Sequence, residues 1–434
     1  MAEGAGRMEK VRMIWRRPIS EGKAKGLRYR NGGIIGTVPL GIYISVPFCK
    51  TKCSYCNFAS DVFSKVVFER YVDRVCEDVG RSRKIAEEMG GRIEQEVDSI
   101  YLGGGTPTVL DPGQLQRMFD AIRELFAVRP EAEVTVECAP GTLGPLVLDG
   151  LLHCGVNRVS LGVQSFVDAE AAAVGRLHKR ATVFDDIARL RAAGIPNINI
   201  DLIAGLPHQT AASWQASLDD TLATGASHVS VYMLEVDEDS RLGREVIAGG
   251  TRYHAHFVPD EEATADFYVA ACEQLDAAGI AQYEISNFAR AGSESRHNLK
   301  YWTRQPYLGF GVDAHSMLFS AGPDAEAIRF SSADVLEQYV AGAPPQRTVV
   351  SRANALEECF FLGLRLNRGV DLREIAASFG HAAVDDLRPA ITQSVNDGLM
   401  RRDGDSIRLT SRGRLLSNEV FQAFLATVPI SSGS

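Results

Sequence analysis

Short runs in which apolar and polar residues alternate recur along the first half of the chain, and stretches with helical periodicity separate them. Alternation predicts strands, because successive side chains of a strand point to opposite faces of a sheet. The predicted strands are 42–46, 98–102, 134–136, 159–164, 198–203 and 229–233, and the helical stretches include 68–89, 113–126 and 183–193. Repeated strand–helix alternation predicts a parallel sheet with helices outside, as a barrel or part of one.

Four of these strands carry their polar residues on one face and their apolar residues on the other. The polar sets are Glu133, Thr135 and Glu137; Ser160, Gly162 and Gln164; Asn197, Asn199 and Asp201; and His228, Ser230 and Tyr232. We expect the apolar faces to meet the outer helices, so the polar faces line the interior. A closed eight-stranded barrel fills its interior with bulky aliphatic side chains, so this pattern favours an open barrel around a polar ligand. An antiparallel sheet with one solvated face is the alternative, and the long helical crossovers argue against it.

The pattern changes near residue 351. Helical periodicity dominates 354–366, 371–379 and 384–399, a hairpin-like run follows at 400–409, and a last helix carries Leu415, Val420 and Phe421. This order is typical of a winged-helix-like module, which either packs on its neighbour or binds DNA. The predicted organisation is a leader at 1–38, a partial barrel at 39–321, a connector at 322–350 and a mostly helical C-terminal domain at 351–434.

Charge and composition narrow the function classes. The 434 residues are 45% apolar with a net charge of -9, which excludes a mainly disordered chain and argues against nucleic acid as a partner, so the C-terminal module is expected to pack. No apolar run reaches about 18 residues, so no transmembrane segment is predicted, although peripheral membrane contact stays open. Residues 1–30 hold nine Lys or Arg and three Glu. We interpret them as a disordered or wrongly assigned start, with targeting as the alternative, and expect a cytoplasmic protein.

Three of the eight cysteines, Cys49, Cys53 and Cys56, crowd together directly after the first predicted strand as C-x3-C-x2-C. The other five are single and scattered, so the pattern indicates an intracellular metal site rather than a disulfide framework. Thiolates suit both zinc and iron–sulfur clusters, but structural zinc needs four closed ligands. A [4Fe–4S] cube on three cysteines leaves one iron open to a small chelating molecule. Zinc remains the alternative.

The segment from Cys49 to Cys56, with Tyr55 before its last cysteine, resembles the signature of the radical S-adenosylmethionine (SAM) enzymes. That resemblance implies a [4Fe–4S] cluster whose open iron is chelated by SAM, an electron donor that reduces the cluster, and a deoxyadenosyl radical. It also implies an incomplete (β/α)6 barrel, in agreement with the strand pattern.

Four further segments resemble the oxygen-independent coproporphyrinogen III oxidase family, and the likeness runs from about residue 41 to residue 421. These segments are 43–49, 103–108, 162–166 and 201–207. The resemblance implies SAM contacts at Tyr43, Gly104, Gly105, Thr106, Glu137, Gln164, Arg176 and Asp201. The usual acid of the glycine turn is replaced here by Thr106 and Pro107.

Two features separate this chain from the oxidase itself. The oxidase has a further cysteine two residues after the third cluster cysteine, where this chain has Phe58. Residues 297–302 read HNLKYW and match the HNxxYW motif of the HemW-type haem chaperones. Those relatives bind haem and deliver it to haem proteins such as respiratory enzymes.

The motif implies a haem site built on a helix. His297 is the predicted iron ligand, since histidine is a common axial donor, and Tyr301 would share its helical face. Tyr301 and Trp302 are expected to pack on the porphyrin, and Arg296 or Lys300 to pair with its propionates. His315 is a second candidate ligand, and a packed helix with a structural histidine is the alternative.

We therefore predict a haem-trafficking radical-SAM protein and leave open whether it is an enzyme. The first rival is a coproporphyrinogen oxidase that abstracts hydrogen from propionate side chains. The others are a SAM-cleaving enzyme acting on another tetrapyrrole and a DNA-binding regulator.

Overall fold

The structure is a computed structural model that describes residues 38–425. Before them it describes only Tyr29–Arg30 and Gly33–Ile34, which pair as antiparallel strands. The predicted leader at 1–38 therefore lies almost wholly outside the described residues, as does 426–434 at the end of the predicted C-terminal domain.

Six parallel strands form the centre of the main sheet and lie side by side in chain order. Each of them contains one of the six predicted strands. They are β1 Leu40–Val46, β2 Glu96–Gly104, β3 Ala127–Cys138, β4 Arg158–Gln164, β5 Asn197–Ala204 and β6 His228–Met233. In the sheet order of the described residues, β1 and β6 are not neighbours, so the barrel is open. The predicted fold class, an incomplete (β/α)6 barrel with a helical C-terminal domain, is confirmed.

Helices connect these strands. They are α1 Lys65–Gly80, α2 Ser82–Met89, α3 Pro112–Leu125, α4 Pro145–His153, α5 Asp168–Ala173, α6 Arg180–Ala192, α7 Ala211–Ala223, α8 Arg241–Ile247 and α9 Glu261–Ala277, with 3-10 turns at Pro107–Val109 and Arg252–Phe257. α3 shows why they form: Asp111 and Gln114 make a reciprocal capping box, and an apolar stripe including Leu115 and Phe119 packs into the core. The single helix predicted at 68–89 is instead two helices, because α1 ends at Gly80.

The sheet continues beyond both ends of the parallel set. Next to β6 lies the antiparallel strand β7 Asn287–Ala289, followed by Ala281–Gln282. Next to β1 come β8 Tyr307–Phe310, which is parallel to it, and then antiparallel β9 His315–Ser320, β10 Ala327–Ser331 and β11 Gln346–Val350, with Gly91–Arg92 paired to β9. Between β7 and β8 lies helix α10 Arg296–Trp302.

The segment predicted as a connector, 322–350, differs from that expectation. It contains β10 and β11, which join the main sheet, and helix α11 Leu336–Val340, whose Tyr339 packs against Tyr71 of α1. The reason is burial: Ala327, Ile328 and Phe330 lie in the core, although the glycine and prolines around them are typical of a loop.

The C-terminal domain packs on its own apolar core. Its elements are α12 Arg352–Gly363, Val370–Asp371, α13 Leu372–Phe379, α14 His381–Asn396, β12 Met400–Asp403, β13 Ser406–Leu409, α15 Ser411–Leu415 and α16 Ser417–Leu425. Phe360 and Phe424 stack at 4.9 Å inside it. Glu358 on α12 accepts hydrogen bonds from Arg304 at 2.9 Å and Arg329 at 3.1 Å, which joins the domain to the barrel. Among the described residues, no helix is long and apolar enough to cross a membrane.

Candidate functional site

The three clustered cysteines lie on one closed loop after β1. The backbone nitrogen of Cys49 donates to the carbonyl of Asp61 at 3.0 Å, and the nitrogen of Asp61 donates to Pro47 at 2.9 Å. These bonds hold the two ends of the loop together and turn Cys49, Cys53 and Cys56 toward a cavity of about 810 Å³ inside the barrel. We call this the barrel cavity.

Each of the three sulfurs has a polar neighbour at 3.7 Å. The hydroxyl of Thr106 donates to Cys49, a guanidinium nitrogen of Arg176 donates to Cys53, and the Ser60 hydroxyl lies beside Cys56. Such neighbours stabilise sulfur in its anionic form. Burial nevertheless raises the pKa of Cys49 to about 11 and also raises that of Cys56. Thiols of this kind lose their protons when they bind a metal.

The donor set fits an iron–sulfur cluster better than a single metal ion. Within residues 38–425, no group of three or more His, Cys, Asp or Glu side chains is arranged to hold one metal ion. In a cube each thiolate would bind a different iron, so the three sulfurs need not converge on one point. Three cysteines leave one iron without a protein ligand.

The glycine turn after β2 lies beside the cysteine loop. Gly104 has a φ of 104°, which favours glycine, and its nitrogen donates to Glu137 Oε2 at 2.9 Å. Tyr101 donates to the other oxygen of Glu137 at 3.0 Å. A Cβ on Gly105 would lie 2.7 Å from the carbonyl oxygen of Val46, so the turn fits against β1 only with glycine there.

Two further polar side chains of the barrel cavity are incompletely hydrogen-bonded. Gln164, at the end of β4, has a φ of 70°, and its Oε1 is buried with no partner among the described residues. The same holds for Nε of Arg176, whose guanidinium also donates to the carbonyl of Gly162. Buried polar atoms without protein partners are expected at sites where a bound polar ligand supplies the missing hydrogen bonds.

Asp201 on β5 lines the same cavity. Its carboxylate accepts hydrogen bonds from Ser160 at 2.9 Å and Asn199 at 2.7 Å. Burial, followed by repulsion from Glu137, raises the pKa of Asp201 to about 6. Carboxylates of this kind are suited to binding hydroxyl and ammonium donors of a ligand.

Seven of the eight residues implied as SAM contacts line the barrel cavity: Gly104, Gly105, Thr106, Glu137, Gln164, Arg176 and Asp201. Tyr43 lines a smaller adjoining cavity of about 340 Å³, and Phe58 and Gly104 border both cavities. The structure therefore brings the polar strand faces and the cysteine loop together.

A segment that we did not single out in the sequence covers the cysteine loop. After β6 the chain crosses over it, and Asp237 accepts a hydrogen bond from Asn57 at 3.0 Å. The nitrogen of Leu242 donates to the carbonyl of Ser54 at 2.8 Å, and Arg241 donates to that of Lys52. Nothing in the sequence pattern connects these residues, because their separation along the chain is about 180 positions.

His297 is packed inside the protein rather than at a cavity wall. It is 1% exposed, its Nδ1 lies 3.0 Å from the Ser99 hydroxyl, and its Nε2 lies 3.1 Å from the Tyr301 hydroxyl. The predicted sharing of a helical face by His297 and Tyr301 is confirmed. The next residue, Asn298, lines the barrel cavity.

The other motif residues divide between packing and the smaller cavity. Tyr301 and Trp302 line that cavity. So does His315, which lies outside the motif and whose side chain is 37% exposed. Lys300 is buried and bonded to Asp98 at 2.7 Å. The prediction that Lys300 pairs with propionates is therefore wrong for this conformation, because Asp98 already neutralises it.

Comparison with known proteins defines the class. Residues 43–221 match the Radical SAM superfamily, and residues 350–416 match the HemN C-terminal domain. The solved structure of coproporphyrinogen III oxidase (HemN) from Escherichia coli, a radical SAM enzyme, superposes with a TM-score of 0.75 at 23% identity, over 97% of this chain and 94% of that one. The protein is thus a radical SAM protein with a HemN-type C-terminal domain, a class that implies a [4Fe–4S] cluster and SAM.

Sequence relatives define the family more narrowly. The heme chaperone HemW of Bacillus subtilis is 34% identical over 391 residues, covering 88% of this chain and 98% of the relative. That of Escherichia coli is 30% identical over 392 residues, covering 89% and 98%. The chain belongs to the HemW heme chaperone family.

Proposed function

We propose that this protein binds haem and delivers it to acceptor haem proteins such as respiratory enzymes. Family membership over nearly the whole chain carries the proposal. Two features of the molecule support it: Phe58 stands where the oxidase has a further cysteine, and the motif helix α10 borders both cavities through Asn298, Tyr301 and Trp302.

The residues of the cysteine loop and strand ends define the cofactor end of the site. Cys49, Cys53 and Cys56 would hold the [4Fe–4S] cluster, which when bound supplies the electron for reductive cleavage of SAM. The Glu137 carboxylate is fixed by Gly104 and Tyr101, so it would accept hydrogen bonds from the SAM ribose without reorganising. The segment after β6 packs over the cysteine loop through Asp237, Arg241 and Leu242.

Iron binding at His297 requires rearrangement, because the ring is buried and lines neither cavity. If Nδ1 donates to Ser99, then Nε2 accepts from the Tyr301 hydroxyl and carries the lone pair that iron needs. Iron coordination therefore displaces that hydroxyl, while Ser99 continues to orient the ring. His315, on the wall of the smaller cavity, is the second candidate ligand.

The test uses anaerobically purified, cluster-loaded protein. Titration with ferric haem should give a saturable Soret band, and incubation with the apo form of a respiratory haem enzyme should transfer haem faster than free haem alone. Failure to bind haem, or transfer no faster than from solution, contradicts the proposal.

Coproporphyrinogen oxidation is the rival function, and a separate assay decides it. Protein, SAM, reductant and coproporphyrinogen III are incubated anaerobically, with Escherichia coli HemN as the positive control. We expect SAM binding without protoporphyrinogen formation. Protoporphyrinogen formed over many turnovers would replace the chaperone proposal by an enzymatic one. We also propose that the protein works in the cytoplasm, which cell fractionation tests. An electron donor would reduce its cluster there.

A further inference from the structure

Arg158 lies at the inner end of the barrel cavity, and no described carboxylate forms an ion pair with this buried cation. It begins β4, is 1% exposed, and lines the cavity. Its Nε and Nη2 atoms are buried with no hydrogen-bond partner among the described residues. A buried guanidinium without an anionic partner is strongly destabilising, so this arrangement indicates a ligand that supplies the negative charge.

The neighbours of Arg158 do not supply that charge. Burial, and then the positive charge of Arg158, lower the pKa of His228 well below its usual range. His228 is therefore neutral, and its two ring nitrogens are engaged by Asn199 at 2.6 Å and by the Tyr283 hydroxyl. Among the described residues, no carboxylate forms a salt bridge with Arg158.

A second guanidinium from the C-terminal domain lines the same cavity. Arg365 is 3% exposed and forms an ion pair with Glu284 at 3.4 Å. Glu284 also accepts bonds from the Ser286 nitrogen at 2.9 Å and the Asn287 amide at 2.5 Å, so its charge is shared among several donors. The guanidinium lies 4.2 Å from the centre of the Trp302 ring, which fixes its plane.

This end of the cavity is far from the SAM end. Arg158 and Gln164 are the two ends of β4, and six residues of strand span about 20 Å. A carboxylate bound at Arg158 is therefore not that of SAM, whose carboxylate would be held by the open iron of a cluster on the cysteine loop.

We propose that the inner end of the barrel cavity is a carboxylate subsite, in which Arg158 binds a propionate of a tetrapyrrole. The proposal rests on the proposed haem function, since haem carries two propionates, and it concerns these groups and not the iron ligand. A guanidinium matches a carboxylate with two parallel hydrogen bonds. The barrel cavity, at about 810 Å³, is in the size range of small-molecule sites.

The experiment compares ferric haem with haem dimethyl ester, which has the same macrocycle and iron but no carboxylates. Dissociation constants are measured by Soret titration for the full-length protein, for Arg158→Gln and Arg158→Lys, and for Arg191→Gln on the exposed face of α6 as a matched control. We expect the unchanged protein to bind haem about tenfold to a hundredfold more tightly than the ester. Arg158→Gln should lose that preference by weakening haem binding alone, and Arg158→Lys should restore part of it.

The possible outcomes are separable. Absence of haem binding by the unchanged protein overturns the proposed function itself. Equal affinity for haem and ester overturns the carboxylate subsite while leaving the haem function intact. Two results with Arg158→Gln also overturn the subsite. Equal weakening of haem and ester binding would show that Arg158 has a structural role. An unchanged preference for haem over the ester would place the propionates elsewhere. Thermal unfolding and iron content of each variant show whether it folds.

Discussion

The backbone nitrogen of His297 donates to Oε1 of Glu133 at 2.9 Å. The same carboxylate accepts from the nitrogen of Arg296 at 2.9 Å and from the Ser295 hydroxyl at 3.1 Å. A carboxylate from β3 thus accepts hydrogen bonds from the N–H groups at the start of α10 that have no acceptor within the helix, where negative charge is favoured. The motif helix is fixed to the barrel by a residue that lies some 160 positions earlier in the chain.

Replacing that carboxylate tests whether it positions the motif. Glu133→Ala should lower the free energy of unfolding by about 1–3 kcal/mol, because buried N–H groups lose their acceptor, and should weaken haem binding severalfold. The cluster, held at the other end of the strands, should be retained. Chemical denaturation, haem titration and iron analysis measure the three effects, with exposed Glu131→Ala as the control. Unchanged haem affinity in a destabilised Glu133→Ala variant would show that the helix position does not matter for haem.

The two motif side chains in contact should respond oppositely to substitution. His297→Ala should weaken haem binding or alter its spectrum while leaving the cluster intact, because a nitrogen ligand to iron is removed. Tyr301→Phe should keep or strengthen binding, because the hydroxyl that occupies Nε2 is removed. Soret titrations measure both, and exposed His153→Ala is the control. An unchanged spectrum and affinity in His297→Ala would assign this histidine to packing and favour His315.

Loss of one cluster cysteine should remove the iron altogether. Cys53→Ala leaves two thiolates, which hold a cube poorly, so iron and sulfide should fall close to zero in anaerobically prepared protein. Cys76→Ala, on α1 outside the barrel cavity, should retain both. Normal iron content in Cys53→Ala, or zinc in the native protein, would refute the ligand assignment.

The ionisation of Asp201 should make stability depend on pH. Its folded pKa of about 6 lies above the ordinary unfolded value of about 3.9, so between these values the folded state binds more protons. The free energy of unfolding contributed by this group therefore falls as the pH rises through that window. Asp201→Asn cannot ionise. Its free energy of unfolding, relative to that of the unchanged protein, should therefore rise by about 2–3 kcal/mol from about pH 4 to pH 7.

Urea unfolding of cofactor-free protein at both pH values measures this difference. Asp120→Asn, on an exposed turn of α3, is the matched control and should change stability equally at both. If the difference between Asp201→Asn and the unchanged protein is the same at pH 4 and pH 7, then Asp201 does not titrate in this range.

Strand parity was the most informative part of the sequence. Glu137, Gln164 and Asp201 were placed on the interior face from alternation alone, and all three line the barrel cavity. Alternation succeeds because the pleat of a strand fixes side-chain direction locally. The segment 322–350, expected as a connector, contains strands for the opposite reason: β10 pairs with β9, which lies outside the segment, and β11 pairs with β10 across the intervening helix.

The sequence by itself determined the strand–helix order, the three-cysteine loop and the polar face of the barrel, since each depends on residues close together in the chain. Three relationships depend on the folded structure: Asp98 neutralises Lys300, Glu133 anchors the motif helix, and Arg158 and Arg365 line the same cavity. These relationships join residues more than 150 positions apart, and a charge acquires its role there from burial and from the neighbours that folding brings to it.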